Sequence, residues 1–237
     1  MSGRYCVLIP ALNAAQTIAS LVERVKNQGL AIIVIDDGST DETALVAARL
    51  GATVISHLHN RGKGTALRTG FQYALRMAYD GVITMDGDGQ HDPTDIPRVI
   101  RSAEREHAGI VLGNRMGDAQ AMPRLRRWTN QVMSRVISRL VHQPIPDSQC
   151  GFRLIRKEVL QSVSLRATRF EIETELLLDA STHRWKIVSV PVQTIYQNSA
   201  SRIQVLPDLI RVIQVVIRHF TIGWLRRFRP SGYANRR

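Results

Sequence analysis

The 237-residue chain can bury a substantial core as one domain, or as one domain with a small appendage. A hydrophobic content of 44% and a charged content of 22% exclude long disorder and indicate a soluble globular protein. The net charge of +12 calls for an anionic partner, and composition leaves nucleic acid, a phosphorylated ligand and an acidic membrane all open. The two cysteines form neither a disulfide scaffold nor a metal-binding spacing, which favours a reducing compartment.

Strand-like and helix-like patterns alternate along the first half of the chain. Runs rich in apolar residues predict strands at residues 4–10, 31–35, 52–56, 82–85 and 110–112, of which the run at 82–85 is mostly β-branched. Helical patterns lie between them; Asn13 is predicted to cap the first helix, and Ser39 with Glu42 forms a capping-box pattern for the second. This alternation with short links predicts an α/β fold, with a parallel sheet covered by helices on both faces.

Paired carboxylates follow the second and fourth predicted strands. Asp36 and Asp37 end the second, and Asp86 and Asp88, separated by one glycine, follow the fourth. Because ligands bind beyond the carboxyl ends of parallel strands, we expect these four side chains in one crevice. Such hard oxygen ligands suit Mg²⁺ or Mn²⁺ bridging to a substrate phosphate. The alternative is that both pairs belong to ordinary Asp-Gly turns.

Arginines dominate the polar positions after residue 123. From Arg124 an apolar helical stripe has arginines on its other faces, most of which a solvated helix surface explains. Arg115, at the end of the preceding strand, is better placed to bind a phosphate, because the forked guanidinium group of arginine matches phosphate oxygens.

Further on, Cys150 is predicted to be a buried small hydrophobe rather than a nucleophile. Glu171 and Glu173 begin a helix, where the helix dipole explains them.

The C-terminal segment carries an apolar helical stripe opposite arginines, made of Leu209, Val212, Ile213, Val216, Ile217, Phe220 and Trp224. Arg211 and Arg218 interrupt it well short of the roughly 18 residues that a spanning helix needs. A basic amphipathic helix with a tryptophan near its end can lie in a membrane interface. The alternative is that the stripe packs onto its own domain or onto a second subunit.

Seven segments, in this order and spacing, resemble those of family 2 glycosyltransferases with the GT-A fold. The similarity is greatest to the dolichol-phosphate mannosyltransferase and polyprenyl-phosphate glycosyltransferase branch, and the segments are residues 9–13, 35–39, 60–64, 85–93, 113–115, 147–153 and 196–203. The resemblance runs from about Tyr5 to Arg211. It implies a GT-A domain at 1–205, with a nucleotide-sugar half at 1–115 and an acceptor half at 116–205, and a basic amphipathic tail at 206–237.

The resemblance also implies roles for individual residues. Asp37 would face the nucleotide base, and the other nucleotide-binding residues would be Pro10, Leu12, Asp36, Lys63 and Asp86. A divalent cation would be held by Asp86, Asp88 and Gln90. The acceptor phosphate would be bound by Arg115, Arg126, Arg127 and Asn130, with Ser201 and Arg202 in an element that closes over the site. Where the family usually has Tyr-Asn-Glu, this chain has Leu12-Asn13-Ala14, so a ring and a carboxylate that help hold the nucleoside are missing.

The combined prediction is a metal-dependent, inverting glycosyltransferase that uses Mg²⁺ or Mn²⁺ and moves a hexose from a nucleotide-sugar to a polyprenyl phosphate. Asp86, Asp88 and Arg115 are its predicted catalytic residues. The protein is expected to be cytoplasmic, peripheral at the inner face of the membrane and without a nucleic-acid partner; a homodimer is left open. One alternative is transfer to a lipid alcohol or a specialised metabolite, with Glu173 or Asp147 as the base. The other is a non-catalytic basic binding module, against which four acidic strand ends argue.

Overall fold

The structure is a computed structural model that describes residues 3–117, 122–195 and 214–217, without the side chain of residue 126. Within these ranges the strands are β1 Tyr5–Ala11, β2 Ala31–Asp36, β3 Thr53–Ser56, β4 Gly81–Thr84, β5 Ile110–Asn114, β6 Arg153–Arg156 and β7 Ile187–Pro191. The helices are α1 Ala15–Lys26, α2 Thr43–Arg49, α3 Lys63–Arg76, α4 Ile96–Arg105, α5 Arg124–Val141, α6 Lys157–Ser162 and α7 Ile172–Thr182. A 3₁₀ turn, Pro93–Asp95, leads into α4.

The described strands form one mixed, mostly parallel sheet in the order β3-β2-β1-β4-β6-β5-β7. The strands β1 to β4 are mutually parallel, as predicted, and β7 is parallel to β5. The exception is β6, which runs antiparallel to both β4 and β5. Asp147, six residues before β6, contacts Arg115 just after β5, so the chain enters β6 from the carboxyl edge of β5 and runs in the opposite direction.

Helices cover both faces of this sheet, as predicted. Along β1, Leu8 points to a cluster shared with Phe71 of α3, whereas Val7 and Ile9 point to a cluster shared with Leu21 of α1. The three β1 residues and Leu21 are each at most 1% exposed. Burying a side chain of this size contributes about 1.5–3 kcal/mol. This double core holds the strand ends, and the loops that follow them, in fixed positions.

The predicted helix caps are wrong, because the side chains concerned join two loops instead. The N-cap residues of α1 and α2 are Ala14 and Glu42, whose side chains make no capping hydrogen bond, and the first N–H of each helix donates to the Asp41 carboxylate. Asn13 has a positive φ of 47°, and its Oδ1 accepts the backbone N–H of Thr40 at 2.8 Å. In return, Ser39 Oγ accepts the N–H of Asn13 at 2.9 Å. The loops after β1 and β2 are thus tied together at the carboxyl edge of the sheet.

The described turn of the C-terminal segment, residues 214–217, packs onto the domain itself. Val215 is 5% exposed and belongs to the same core cluster as Ile137 and Val141 of α5. Ile217, a member of the predicted apolar stripe, is 58% exposed, so it does not follow the alternative in which the stripe packs onto the domain. The rest of the stripe, apart from the partly buried Val216, lies outside the described residues. Of the helices in the described ranges, none combines the length and the apolar character needed to cross a bilayer.

Candidate active site

Both acidic pairs lie at one edge of the central sheet. Asp36 is the last residue of β2, and Asp86 follows β4 by two residues. Since β2 and β4 flank β1 and all three strands are parallel, their carboxyl ends share this edge. Asp37 is fixed to the end of β1, because its N–H donates to the carbonyl of Ala11 at 2.8 Å. The predicted convergence of the strand ends is therefore present.

Asp37 holds the loop that leads into α3. Its carboxylate is buried and accepts the N–H groups of Arg61 at 3.0 Å and of Gly62 at 2.7 Å. Its Oδ1 also lies 2.7 Å from Nδ1 of His57, whose Nε2 is 3.0 Å from Thr69 Oγ1. Both carboxylate oxygens are thus engaged inside the protein. The observed role of Asp37 is to brace this loop, and its contact with a nucleotide base stays a prediction.

The braced loop ends in Lys63, whose ammonium group lies between two carboxylates. Its Nζ is 2.6 Å from Asp86 Oδ1 and 2.7 Å from Glu173 Oε1. Burial lowers the pKa of Lys63, but the charges of Asp86 and Glu173 outweigh burial and hold this pKa above its ordinary value. For the Asp86 carboxyl, burial raises the pKa, but Lys63 and His91 outweigh burial and hold this pKa below its usual range. Both groups are therefore charged. Because Asp37 binds the loop that ends in Lys63, and Lys63 pairs with Asp86, this loop joins the acidic pair after β2 to the one after β4.

Glu173 in the first turn of α7 is held by a buried arginine. Arg153 donates from Nη1 to the Glu173 carbonyl and from Nε to the Cys150 carbonyl, both at 2.7 Å, and from Nη2 to the Ser148 carbonyl at 2.6 Å. The same Nη2 is 3.7 Å from Glu173 Oε2. The helix dipole alone therefore does not account for Glu173, because its side chain is part of the charged site.

His91 and Gly151 close around the second oxygen of Asp86. The His91 Nε2 lies 3.5 Å from Asp86 Oδ2, the residue is 2% exposed, and its Nδ1 has no hydrogen-bond partner in the described structure. The Gly151 backbone comes so close that an added Cβ would overlap Asp86 Oδ2 and lie 2.7 Å from Oδ1. The Asp86 carboxylate is therefore fixed on several sides.

The predicted metal ligands Asp86, Asp88 and Gln90 can each offer a side-chain oxygen to a metal ion. Asp88 is exposed, and its Oδ1 accepts the backbone N–H of Gln90 at 3.0 Å. No cluster of three or more His, Cys, Asp or Glu side chains suited to a metal occurs in the described ranges, which argues against a cage made by protein alone. Mg²⁺ and Mn²⁺ typically take few protein carboxylates and complete their coordination with water and phosphate. The Lys63 ammonium at Asp86 also shows that this carboxylate accepts a cation, so these residues fit the predicted ion.

The predicted acceptor residues Arg115 and Asn130 meet at Asp147. Arg115 Nε and Nη2 donate to the two Asp147 oxygens at 2.8 and 3.0 Å, and Asn130 Nδ2 donates to Oδ1 at 2.8 Å. Asp147 is fully buried, so neither of its oxygens can act as a base toward an acceptor in this arrangement. Cys150, also fully buried beside this cluster, has its pKa raised by burial to about 12, which confirms its assignment as an unreactive core residue.

The remaining predicted site residues are more scattered. Pro10 and Leu12 are half-buried at the end of β1 and in the loop that follows it. Arg127 is exposed on α5 and is not part of the buried cluster around Asp147. The side chain of Arg126, and Ser201 and Arg202, lie outside the described residues, so their predicted roles stay predictions.

We expect the stability of the protein to fall as the pH drops below about 4, in part because of Asp147. Burial raises the pKa of this carboxyl, but Arg115 and Asn130 outweigh burial and hold it below its ordinary value. The unfolded chain therefore takes up the proton first, so the stabilisation is complete above the ordinary pKa of about 3.9 and is lost as the pH falls through the folded pKa. Urea unfolding between pH 7 and pH 3 measures this loss. The Asp147→Asn variant should be less stable but less sensitive to pH, and equal slopes would contradict the assignment.

Comparison with known proteins decides the family. The family profile described as glycosyl transferase family 2 matches residues 6–164. The chain belongs to glycosyltransferase family 2. This range includes β1 to β6, both acidic pairs, and the Arg115–Asp147 cluster, and it makes the protein a glycosyltransferase by family.

Several relatives in this family are named for lipid-phosphate acceptors. The chain is 32% identical over 213 residues to the UDP-N-acetylglucosamine–dolichyl-phosphate N-acetylglucosaminyltransferase of Methanococcus voltae, covering 80% of this chain and 85% of the relative. It is 28% identical over 207 residues to the polyprenol monophosphomannose synthase of Mycolicibacterium smegmatis, covering 80% and 76%. The dolichol-phosphate mannosyltransferase of Pyrococcus furiosus is 32% identical over 198 residues, which cover 78% of this chain and only 54% of that longer protein.

Solved structures of the same fold include glucosyl-3-phosphoglycerate synthase from Mycobacterium tuberculosis. Its complex with Mn²⁺, UDP and phosphoglyceric acid superimposes with a TM-score of 0.73, covering 92% of this chain and 78% of that one, at 24% identity. A second complex of that synthase contains Mg²⁺ and UDP. At this identity the likeness establishes the fold, which confirms the predicted GT-A architecture.

Two residues of this glycosyltransferase site have no role in the sequence-based prediction. His91 directly follows the predicted ligand Gln90, and Arg153 ends the segment 147–153, so both were within the family-like segments. Their positions were visible in the sequence, but their contacts depend on how distant segments pack. The position of His91 between Asp86 and the ring of Phe152, and the three carbonyls that accept hydrogen bonds from Arg153, appear only in three dimensions.

We expect Gly151→Ala to impair glycosyl transfer by displacing the Asp86 carboxylate. The new methyl group would overlap Asp86 Oδ2, and a misplacement of about 1 Å can cost on the order of 10²-fold in rate. Steady-state transfer measures the effect, and thermal unfolding shows whether the fold survives. Gly29→Ala is the control, because no atom lies within 4 Å of its added Cβ, although its φ of +71° adds backbone strain. Full activity in Gly151→Ala would show that the position of Asp86 is not critical.

Proposed function

We propose that this family 2 glycosyltransferase transfers a hexose from a nucleotide-sugar to a polyprenyl phosphate, with Mg²⁺ or Mn²⁺ as its cofactor. The lipid acceptor is supported by relatives that are named for lipid-phosphate acceptors, at 28–32% identity over about four-fifths of this chain. The cofactor is supported by the oxygen donors of Asp86, Asp88 and Gln90. The place of action that we propose is the inner, cytoplasmic face of a membrane; a homodimer and the lack of a nucleic-acid partner stay predictions.

The observation that carries the proposal is the charged connection at the carboxyl edge of the sheet. Asp37 braces the loop before α3, and Lys63 at the end of that loop contacts Asp86 at 2.6 Å. One structural unit thus brings together the strand end that is expected to bind the nucleoside and the strand end that is expected to bind the diphosphate. A basic surface-binding module has no need for such a unit.

The proposed chemistry places positive charge beside the departing nucleoside diphosphate. Asp86, Asp88 and Gln90 would hold the divalent cation, which when bound neutralises charge on the departing nucleoside diphosphate. Lys63 keeps a further positive charge at the same place. The acceptor phosphate oxygen attacks the anomeric carbon opposite the leaving group, so a new C–O bond forms as the bond to the diphosphate breaks, with inversion.

A phosphate acceptor fits the described carboxylates better than an alcohol does. An alcohol needs a protein base, but Asp147 is fully buried against Arg115, and Glu173 is paired with Lys63 at 2.7 Å. An ionised phosphate needs only to be positioned. Arg115, Arg127 and Asn130 are the described candidates for this task, and Arg126, Ser201 and Arg202 complete the proposed set.

The test is transfer by the purified full chain with a panel of nucleotide-sugars, Mg²⁺ and a polyprenyl phosphate in detergent. We expect release of a nucleoside diphosphate that requires both the lipid phosphate and the metal. A dephosphorylated polyprenol serves as the matched acceptor control. Equal release with the polyprenol would favour the alcohol alternative, and no release with any donor would contradict the proposed reaction.

A further inference from the structure

Helix α5 packs one face into the domain and exposes large apolar side chains on the opposite face. Its 18 residues include five arginines and no acidic residue. Asn130, Ser134, Ile137 and Val141 are at most 5% exposed and mark the inner face. At 100° per residue the opposite face carries Leu125, Trp128, Val132 and Val136, together with Arg135 and Arg139. The outward stripe formed by these four apolar residues therefore lies where a helix facing only water is expected to be polar.

Most of this outward stripe is exposed in the described structure, with only Val132 half-buried. Leu125 is 67% and Trp128 62% exposed, and Val136 is 38% exposed. The described arginines of the helix, Arg124, Arg127, Arg135 and Arg139, are exposed around it. Large apolar side chains framed by cations are typical of helices that lie in the interface of an anionic membrane, where tryptophan is favoured.

The inner face of the same helix reaches the proposed acceptor site. Asn130 donates to Asp147 at 2.8 Å, and Asp147 holds Arg115. A membrane lying against the outward stripe would therefore be one helix diameter, about 10 Å, from this cluster. A lipid phosphate could then approach the site while its hydrocarbon chain stays in the bilayer.

Charge selects an anionic membrane over a second copy of the chain as the occupant. In a two-fold symmetric dimer the same surface faces itself, so the arginines of α5 would face one another without an acidic partner on that helix. Anionic lipid head groups instead attract each lysine or arginine near the surface by about 1 kcal/mol.

We propose that the outward face of α5, defined by Leu125, Trp128 and Val136 with Arg135 and Arg139 beside them, docks this enzyme on the surface of an anionic membrane. Leu125 and Trp128 enter the interfacial layer, and the arginines contact lipid phosphates. The helix lies on the membrane and does not cross it. The benefit to catalysis rests on the proposed lipid-phosphate acceptor, but docking itself does not depend on it.

The first test is flotation of the full chain with acceptor-free vesicles of phosphatidylcholine containing about 30% phosphatidylglycerol, since attraction grows with anionic lipid. We expect binding to these vesicles and much less to pure phosphatidylcholine. Leu125→Ala/Trp128→Ala should weaken binding about tenfold or more, because it removes most of the inserted apolar area. The matched control is Leu58→Ala/Met77→Ala, which shortens two exposed apolar side chains elsewhere and should leave binding unchanged.

A second pair of variants isolates the charges. Arg135→Gln/Arg139→Gln should weaken binding to the anionic vesicles and reduce its sensitivity to salt. Arg49→Gln/Arg76→Gln, which changes two arginines that are also exposed but lie on α2 and α3, should do neither. Wild-type binding by the Leu125/Trp128 variant would assign docking to another part of the chain and overturn the proposal. The proposal would also be overturned if the wild-type chain did not float, or if the variants changed only the self-association of the chain in gel filtration.

Activity measurements separate this proposal from the proposed reaction. With a short-chain, water-soluble prenyl phosphate, Leu125→Ala/Trp128→Ala should transfer sugar at the wild-type rate, because these residues lie outside the site. With a long-chain polyprenyl phosphate in the anionic vesicles its rate should fall. Vesicle binding without any transfer to either acceptor would refute the proposed reaction and leave the docking surface intact, whereas an equal rate on both acceptors would refute a role of docking in catalysis.

Discussion

Asp88→Asn is expected to lower glycosyl transfer by about 10²-fold or more, because a catalytic metal ion contributes several kcal/mol to transition-state stabilisation. Asp88 is exposed, and the contact described for its side chain is with the backbone N–H of Gln90. An asparagine can keep that hydrogen bond through its amide oxygen, but it loses the negative charge that attracts Mg²⁺. The loss should therefore appear in activity and metal affinity and not in stability. Steady-state transfer at a series of Mg²⁺ concentrations, together with thermal unfolding, measures both.

Glu23→Gln is the matched control for this change. Glu23 is an exposed carboxylate on α1, and neutralising it alters the net charge by the same amount. We expect its activity and Mg²⁺ dependence to equal those of the wild type. An Asp88→Asn variant with more than half of the wild-type rate and an unchanged Mg²⁺ requirement would remove Asp88 from the metal site.

Arg115→Met is expected to reduce the free energy of unfolding by about 3–5 kcal/mol, because it leaves a buried carboxylate without its charged partner. The Asp147 side chain is 0% exposed and is bound by two nitrogens of Arg115. Replacing both partners, as in Arg115→Met/Asp147→Leu, should recover much of this loss, since apolar pairs often replace buried ion pairs at little cost. Urea unfolding of the two single variants and the double variant gives the coupling energy directly.

Arg105→Met provides the surface comparison. Arg105 pairs with Glu106, but its side chain is 78% exposed, so we expect a change of about 0–1 kcal/mol.

The folded double variant also separates structure from function. If Arg115 binds the acceptor phosphate, this variant stays folded but has a raised KM for the acceptor and an unchanged affinity for the donor. An unchanged acceptor KM would limit Arg115 to a structural role.

The first half of the fold was predictable because local sequence patterns determine it. Apolar runs predicted β1 to β4, and parallel order placed Asp36 and Asp86 at one edge. Strand direction is less visible in sequence, since the residue pattern of a short strand such as β6 is the same in either direction. The short helix α6, of six residues, lacks a full apolar stripe and was also missed.

The site was less predictable than the fold, because its contacts join segments far apart in the chain. Lys63 and Glu173 are 110 residues apart, yet their side chains meet at 2.7 Å. Asp37 illustrates the converse, since its position was predicted but its hydrogen bonds to the loop before α3 were not. Side-chain partners depend on packing geometry, which residue type and spacing alone do not specify.

Calorimetric titration with a nucleoside diphosphate, in Mn²⁺ and again in EDTA, most directly tests whether the acidic strand ends share a divalent cation with the donor. The account predicts binding that is at least about tenfold tighter with Mn²⁺, equivalent to about 1.4 kcal/mol, and that this gain is lost in Asp88→Asn. Equal affinity in Mn²⁺ and EDTA, or an undiminished gain in Asp88→Asn, would contradict it.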